Sequence, residues 1–494
     1  MIVSADEMRE IEDAAFARGI SAEELMENAG GQIAGVVQQF FPKPGAAQIF
    51  YGKGHNGGDA LVAARHLAAA GWRISLHAQE SDEAKLSALT RAKLDALGGS
   101  RAGDGGPPPQ TFPLVVLDGL LGLGARGPLR DELRAFTRAI NQLRRNLNAQ
   151  VFAIDLPTGL DSSTGTADSD SVIADFTLTI GFAKRALIAD SATNYVGRLV
   201  VLPLPQLEAK SAAEEIVATS PDLAPLLSRR KFESHKANYG RIGIVAGSIG
   251  FTGAAVLAAR GALRGGAGLV SLYATADIQP ILAAAADPEV MVKPIGSFLE
   301  LLDSQRDVLA IGPGLGTAHA DEILQLIERC ESPMILDADA LNVLARSKKM
   351  ALLRDCAGPR LLTPHPGEMA RLCDIGSQSR SETVRAFTSD YPVTLLLKGS
   401  RTIIGEKGRP LSYNTTGSPG MATGGMGDVL TGVLAALAGQ GLALYDAARL
   451  GAWLCGRAAE IAIFHGGESE ESLCATDISR HLGPAFRSSR ERCP

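Results

Sequence analysis

Twice along this chain, short apolar runs bounded by glycine or proline alternate with alanine-rich segments of helical period. That alternation constrains the fold more than any other feature, because it is the pattern of parallel strands joined by crossover helices. The first series reads AAQIFYG, WRISLHA, FPLVVLDG, QVFAIDLP, FTLTIGF and RLVVLPL. The second restarts with RIGIVAGS and continues with LVSLYA, DVLAIGPG, PMILDADA, RLLTPH and VTLLLKG. Residues 205–230, between them, are polar or proline-punctuated and carry no strand pattern. At 494 residues the chain also exceeds what one hydrophobic core supports, roughly 250–300 residues. The expectation is an α/β protein of two domains, residues 1–215 and 225–490, with the boundary near 206–225.

The bulk chemistry narrows the function. A net charge of −6 without a Lys/Arg-rich run argues against nucleic acid or an anionic membrane as partner. The six cysteines all lie at or beyond Cys330 and include no CxxC pair, so neither a disulfide framework nor a zinc site is signalled. The acidic N-terminal stretch lacks the apolar core of an export signal, and a cytoplasmic protein is expected. The longest apolar run, residues 429–444, is broken by glycine, threonine and glutamine, which fits a buried helix better than a membrane span. Residues 487–494 read as a solvated tail.

In open parallel sheets the ligand lies beyond the carboxyl ends of the strands. Unusual residues gather there in both halves: 52–59, 118–128 and 155–161 in the first, and 247–255, 312–316, 337–342, 363–368 and 398–402 in the second. Two ligand sites are therefore expected. GKGHNGGDA follows a strand and opens a helix, so its amides can cradle an anion. GLGARG matches G-x-G-x-x-G but follows the third strand, and a plain strand-to-loop turn explains it equally well. GSPGMATGGMGDVLTG sets a lone carboxylate, Asp428, among six glycines at the start of a helix. Free amides there point to a phosphate; the alternative is that Asp428 is a plain N-cap. Walker A is absent.

In order and spacing, GKGHNGGD, LDGLLGLGARGPL and AIDLPTGLD resemble the NAD(P)H-hydrate epimerases over nearly the whole first half. His55 and Ala60 stand where that family usually has asparagine and glycine. The resemblance implies that His55, Asn56, Gly57, Gly58 and Asp59, with Gly122, Leu123, Gly124, Ala125, Arg126, Gly127 and Pro128, hold the damaged dinucleotide. It also implies that Asn56, Asp118 and Thr158 bind a potassium ion, an assignment consistent with their hard oxygen donors. Asp155 would then be the acid/base that moves a hydroxyl between the faces of ring carbon six; the alternative is a cap on the PTGL turn.

GSIGFTGAA, GPGLG, LDADALN, TPHPGE, LKGSRT and the glycine-rich GGMGD stretch resemble the ADP-dependent NAD(P)H-hydrate dehydratases, of ribokinase-like fold, over residues 225–490. Two three-layer α/β/α domains are implied, the first Rossmann-like. By the same resemblance Lys398, Gly399, Ser400, Arg401, Thr402 and Gly427 contact the adenine nucleotide, while Ala255, Gly316, His365 and Asp428 contact the hydrated nicotinamide. Glu368 would be a magnesium ligand and Asp428 the base that frees the substrate hydroxyl to attack ADP. Asp337 and Asp339 read as caps or turn residues, and Met421 and Met426 as packing. The implied partners are hydrated NADH and NADPH with ADP, potassium and magnesium, in a homo-oligomer. A small-molecule kinase fused to a non-catalytic nucleotide-binding module is the competing reading.

Overall fold

The computed structural model describes residues 1–80, 82–98, 113–124, 127–209 and 213–491. The chain divides into two compact units, Met1–Ala213 and one that begins at Glu214. Among the described residues no helix is long and apolar enough to cross a membrane.

The first unit holds a six-stranded, all-parallel sheet in the spatial order Arg73–Ala78, Ala46–Tyr51, Leu114–Gly119, Gln150–Ile154, Phe176–Ile180, Arg198–Leu202. These are the six apolar runs of the first series. The order reverses between Ala46–Tyr51 and Leu114–Gly119, and such a switch point opens a crevice at the carboxyl ends of its strands. Helix Asp131–Leu147 buries Leu133 and Ile140 against Phe50, Val116 and Val151, while helix His55–Ala69 packs on strands Ala46–Tyr51 and Leu114–Gly119. A two-residue strand, Ile2–Val3, pairs in parallel with Ala183–Lys184. Helix Ala5–Ala17 follows it. Ser4 Oγ accepts from the Glu7 amide at 3.1 Å and the Glu7 carboxylate accepts from the Ser4 amide at 2.6 Å, a reciprocal cap that fixes where the helix starts.

The second unit is built on ten strands. From Val290–Pro294 the order runs through Leu269–Ala274, Arg241–Val245, Val308–Ile311, Met334–Leu336, Arg360–Leu362 and Thr394–Leu397 to Ile403–Gly405, Leu411–Tyr413 and Glu215–Val217. The pairs made by Ile403–Gly405 with its two neighbours are antiparallel and the rest are parallel. Residues 205–230, expected to lack strand, thus supply the edge strand Glu215–Val217. The order switches between Arg241–Val245 and Val308–Ile311, where residues 247–255 and 312–316 follow.

Helix Met426–Gly439 contains most of the long apolar run. Val429, Val433, Leu434 and Leu437 are buried with Ala258 and Ala262 of helix Thr252–Arg264 and with Ile244 and Ala310 of the sheet. A helix apolar on all sides belongs inside a core. The tail departs from expectation: helix Ala475–Arg490 continues into it, and Ser488 and Ser489 are buried, with Arg457 Nε donating to Ser488 Oγ at 3.0 Å. Residues 492–494 lie outside the described residues.

Two helices meet backbone to backbone at Gly432, where a Cβ would sit 1.9 Å from the Ala258 carbonyl oxygen and 2.6 Å from the Ala262 nitrogen. Gly432→Ala should therefore cost about 1–3 kcal/mol by overpacking. The check is the urea midpoint read by Trp453 emission in a Trp72→Phe background, with an unchanged slope.

Candidate functional sites

The first site lies at the switch point of the six-stranded sheet, in a cleft of about 700 Å³. Asp155 follows strand Gln150–Ile154 with φ 65°, a left-handed conformation uncommon outside glycine. Its Oδ1 accepts from Lys184 Nζ at 2.5 Å and from the Ile180 amide at 3.3 Å. The carboxylate thus reaches across to the next strand and does not cap its own turn. Lys184 is 1% exposed and also donates to Thr179 Oγ1 at 3.1 Å and the Ile180 carbonyl at 2.8 Å. A buried ammonium is tolerated only with an anion at contact distance; here Asp155 is that anion.

Glu132 and two carboxyls nearer Asp155 also line the cleft. Asp59, 8% exposed, makes no hydrogen bond or ion pair among the described residues. Burial, then the charges of Asp155 and Glu12, push its pKa well above the carboxylate range, against the pull of Lys184. Glu12, half-buried on helix Ala5–Ala17, is raised for the same first reason, with Lys184 opposing.

His55, Asn56 and Asp59 reach the cleft, as do Gly122, Leu123, Gly124, Gly127 and Pro128. Ala125 and Arg126 lie outside the described residues. Gly57 and Gly58 do not line the cleft: a Cβ on Gly57 would stand 2.0 Å from the Gly52 carbonyl oxygen, and one on Gly58 2.4 Å from the Met26 methyl. Those two glycines serve close packing beneath the loop. The loop from Gly122 is held by Arg9, whose guanidinium donates to the Leu123 carbonyl at 3.0 Å.

Asn56, Asp118 and Thr158 come together as expected of a common cation site. Thr158 donates to Asp118 through Oγ1 at 2.7 Å and through its amide at 2.8 Å. Asn56 donates its amide nitrogen to the Leu121 carbonyl at 2.8 Å, and the Leu121 amide donates to Thr158 Oγ1 at 3.2 Å. Asp118 is fully buried and meets no ammonium or guanidinium among the described residues. Burial raises its pKa to about 6, with the Thr158 hydrogen bonds pulling the other way. A buried carboxylate lacking a counter-charge among the described residues, with the Thr158 hydroxyl oxygen beside it, fits an alkali cation.

The second site gathers where the ten-stranded sheet switches order. Its glycine-rich stretch ends in Gly425, the N-cap of helix Met426–Gly439 at φ 88°, with no side-chain capping bond. Asp428, in the first turn, is therefore not the cap. Burial raises its pKa to about 7, with the charge of Asp337 adding to the rise and Lys398 opposing it. Lys398 Nζ donates to Asp337 Oδ1 at 2.7 Å and lies 3.8 Å from Glu368 Oε2, while Thr431 Oγ1 donates to Asp337 Oδ2 at 2.7 Å. A Cβ on Gly427 would come within 3.3 Å of Lys398 Nζ, which places the helix N-terminus beside that ammonium.

Asp337 and Asp339 are more than turn residues. Ala338 between them sits at φ 49°, and this strained link aims the two carboxylates at different partners. Asp337 takes Lys398 and Thr431; Asp339 Oδ2 accepts from the Gly316 amide at 2.8 Å. Gly316 belongs to the loop whose Gly314 carbonyl accepts from Ser248 Oγ at 2.7 Å. Lys184 and Thr431 were not legible as site residues, because the carboxylate each meets stands 29 and 94 positions away and no local spacing records such a pairing.

The remaining expected residues are placed as follows. Ala255 is fully buried, with its Cβ 3.0 Å from where a Cβ on Gly247 would be. His365 is exposed and caps helix Pro366–Leu372, its Nδ1 accepting from Gly367 at 3.0 Å; Glu368 Oε2 accepts from the His365 amide at 2.8 Å. Arg401 is buried, its carbonyl accepting from Arg380 at 2.7 Å; Ser400 is exposed, and Thr402 Oγ1 donates to the Gly399 carbonyl at 3.2 Å. No group of three or more His, Cys, Asp or Glu side chains among the described residues is arranged to hold a metal. A magnesium ion near Glu368 would thus take most of its oxygens from a bound polyphosphate, as this cation commonly does.

Residues 22–186 match the YjeF-related protein N-terminus family, and residues 242–481 match the NAD(P)H-hydrate dehydratase family. The chain is 36% identical to the bifunctional NAD(P)H-hydrate repair enzyme of Moorella thermoacetica, over 94% of its own length and 93% of that protein. It is 35% identical to the enzyme of the same name from Escherichia coli, over 96% of its length and 92% of the relative. Among solved structures, a ribokinase-like superfamily protein from Enterococcus faecalis superposes with a TM-score of 0.50 at 26% identity, over 57% of this chain and 99% of the other.

The neighbours of Asp428 set the sign of a titration. Lys398 favours its charged form, so Lys398→Met should move the midpoint upward from about 7 by roughly one unit. Asp337→Asn should move it downward. Carbon-13 NMR of labelled aspartate reads both; a midpoint unmoved by either change would show that Asp428 does not feel this pair.

Proposed function

The chain belongs to the family of bifunctional NAD(P)H-hydrate repair enzymes, and from that membership we infer how its two units divide the work. The first epimerises the R and S forms of hydrated NADH and NADPH. The second dehydrates the S form with ADP, giving NAD(P)H, AMP and phosphate. The pairing is chemically coherent, since a dehydratase specific for one epimer consumes only part of a mixed pool and an epimerase supplies the rest. The observation that supports the residue assignment is that each unit sets one carboxyl, Asp155 or Asp428, near a lysine, buried Lys184 in the first and half-buried Lys398 in the second.

In the second unit Asp428 takes the proton of the substrate hydroxyl as that oxygen attacks the β-phosphate of ADP. Phosphate then leaves carbon six by elimination, restoring the dihydropyridine. A carboxyl raised to about 7 holds a proton near neutrality more readily than an ordinary aspartate, which suits a general base. The first amides of helix Met426–Gly439 favour the negative charge on the phosphoryl oxygens. Lys398 and Gly427 bind the nucleotide, and magnesium near Glu368 supplies charge neutralisation on the phosphates.

In the first unit Asp155 is the acid/base and Lys184 holds it in place. Asn56, Asp118 and Thr158 hold potassium, which supplies positive charge for the dinucleotide phosphates and for the buried Asp118. Cys330, Cys356, Cys373, Cys455 and Cys474 are free thiols, in keeping with a cytoplasmic enzyme. A homo-oligomer belongs to the same reading.

The test is hydrated NADH with ADP and Mg²⁺, following both epimers by chromatography and NADH by absorbance. Asp428→Ala should slow dehydration ~10²–10⁴-fold and spare epimerisation, with Asp155→Ala doing the reverse. A stable phosphorylated alcohol in place of returning NADH would support a kinase. Because protons and cations compete for Asp118, activation of epimerisation by potassium should weaken as pH falls through about 6 and vanish in Asp118→Asn. Potassium titrations at several pH values check it.

A further inference from the structure

Three carboxyls face one another in the cleft of the first unit, and a single buried ammonium stands among them. Of the three carboxyls Lys184 pairs with Asp155 alone among the described residues, donating to Oδ1 at 2.5 Å, with the Ile180 amide as second donor to the same oxygen. Among the described residues Asp155 Oδ2 accepts no hydrogen bond. Asp59 is more than nine-tenths buried, lines the same cleft, and has neither an ion pair nor a hydrogen-bond partner among the described residues. The charged groups facing Asp59 are Asp155, Glu12 and Lys184, and those facing Glu12 include Lys184 and Asp155.

We propose, building on the epimerase reading, that Lys184 is a positioning residue that divides two buried carboxyls into a base and an acid. The carboxylate it holds, Asp155, takes a proton from water through Oδ2; the carboxyl it does not touch, Asp59, gives its proton to the departing hydroxyl. Epimerisation needs both events. The C6–O bond breaks with its electron pair on oxygen, which takes the Asp59 proton and leaves as water. The lone pair of the ring nitrogen closes the N1–C6 double bond. Water then adds to the other face of C6, the π pair returns to nitrogen, and the surplus proton passes to Asp155. One proton has moved from Asp59 to Asp155, and exchange with solvent or a reverse turnover resets the couple. Groups in unlike environments are suited to such paired roles; burial raises Asp59, whereas Asp155 stands at contact distance from the Lys184 ammonium.

The full chain is assayed for epimer interconversion across pH. Asp59 must be protonated, so it sets the basic limb of the profile. Asp59→Asn should slow interconversion about 100-fold or more and abolish the basic limb. Asp59→Glu should recover at least a tenfold part of that loss and keep a basic limb. Lys184→Met should shift the basic limb to higher pH, because the cation that lowers the proton affinity of Asp59 is gone. The proposal is overturned if Asp59→Asn stays within threefold of the parent, if its basic limb persists, or if Asp59→Glu is no better than Asp59→Asn. It is also overturned if Glu12→Gln removes the basic limb while Asp59→Asn keeps it. Failure of the parent chain to interconvert the epimers would instead sink the epimerase reading beneath it.

Discussion

A lysine withdrawn from water must have an anion at contact distance, as Lys184 of the first unit has, and in the second unit half-buried Lys398 meets a buried aspartate in the same way. Lys184 with Asp155 and Lys398 with Asp337 join strands that are far apart in sequence. Removing one partner of a buried pair strands the other charge, at a typical cost of about 3–5 kcal/mol. Such pairs are therefore hard to lose once a site relies on them. The two units use the constraint differently. In the first, the ammonium holds the carboxylate proposed to react. In the second it holds a neighbour, so Asp428 feels one anion and one cation and keeps a proton affinity near neutrality.

The glycines show a similar division. Dense glycine in GKGHNGGDA and GGMGD reads alike as a backbone cradle. In the first loop Gly57 and Gly58 are spent on packing against Gly52 and Met26, and the polar side chains beside them face the cleft. In the second, a Cβ on Gly424 would meet nothing within 4 Å, while Gly425 adopts the left-handed conformation that launches the helix. The same composition thus serves steric fit in one unit and ligand access in the other.

Much of the fold was legible because apolar runs bounded by turn residues are a direct record of buried parallel strands. All twelve runs of the two series are strands. Of the strands that went unseen, Ile2–Val3, Ala183–Lys184, Glu215–Val217, Ile403–Gly405 and Leu411–Tyr413 are two or three residues long, while Val290–Pro294, like Glu215–Val217, closes an edge of the sheet, where polar residues are tolerated. The site was legible wherever chemistry follows a strand directly, as at Asp155 and Asp118, or opens a helix, as at Asp428. Lys184 and Thr431 escaped notice for a physical reason. Each sits in an ordinary sequence context and gains meaning only from a partner that the tertiary fold delivers. Asp337 was visible but ambiguous, and the strained Ala338 beside it resolves the ambiguity by separating its direction from that of Asp339.

The pairing of Ile2–Val3 with Ala183–Lys184 bears on how the protein is made. During synthesis the first residues emerge long before their partner strand, and non-local pairings of this kind form slowly because loop closure precedes any gain. The opening strand must wait, unpaired, until residue 184 has cleared the ribosome. Assembly of the first cleft is thereby timed by translation, and an early-folding helix alone cannot bring Lys184 to its carboxylate.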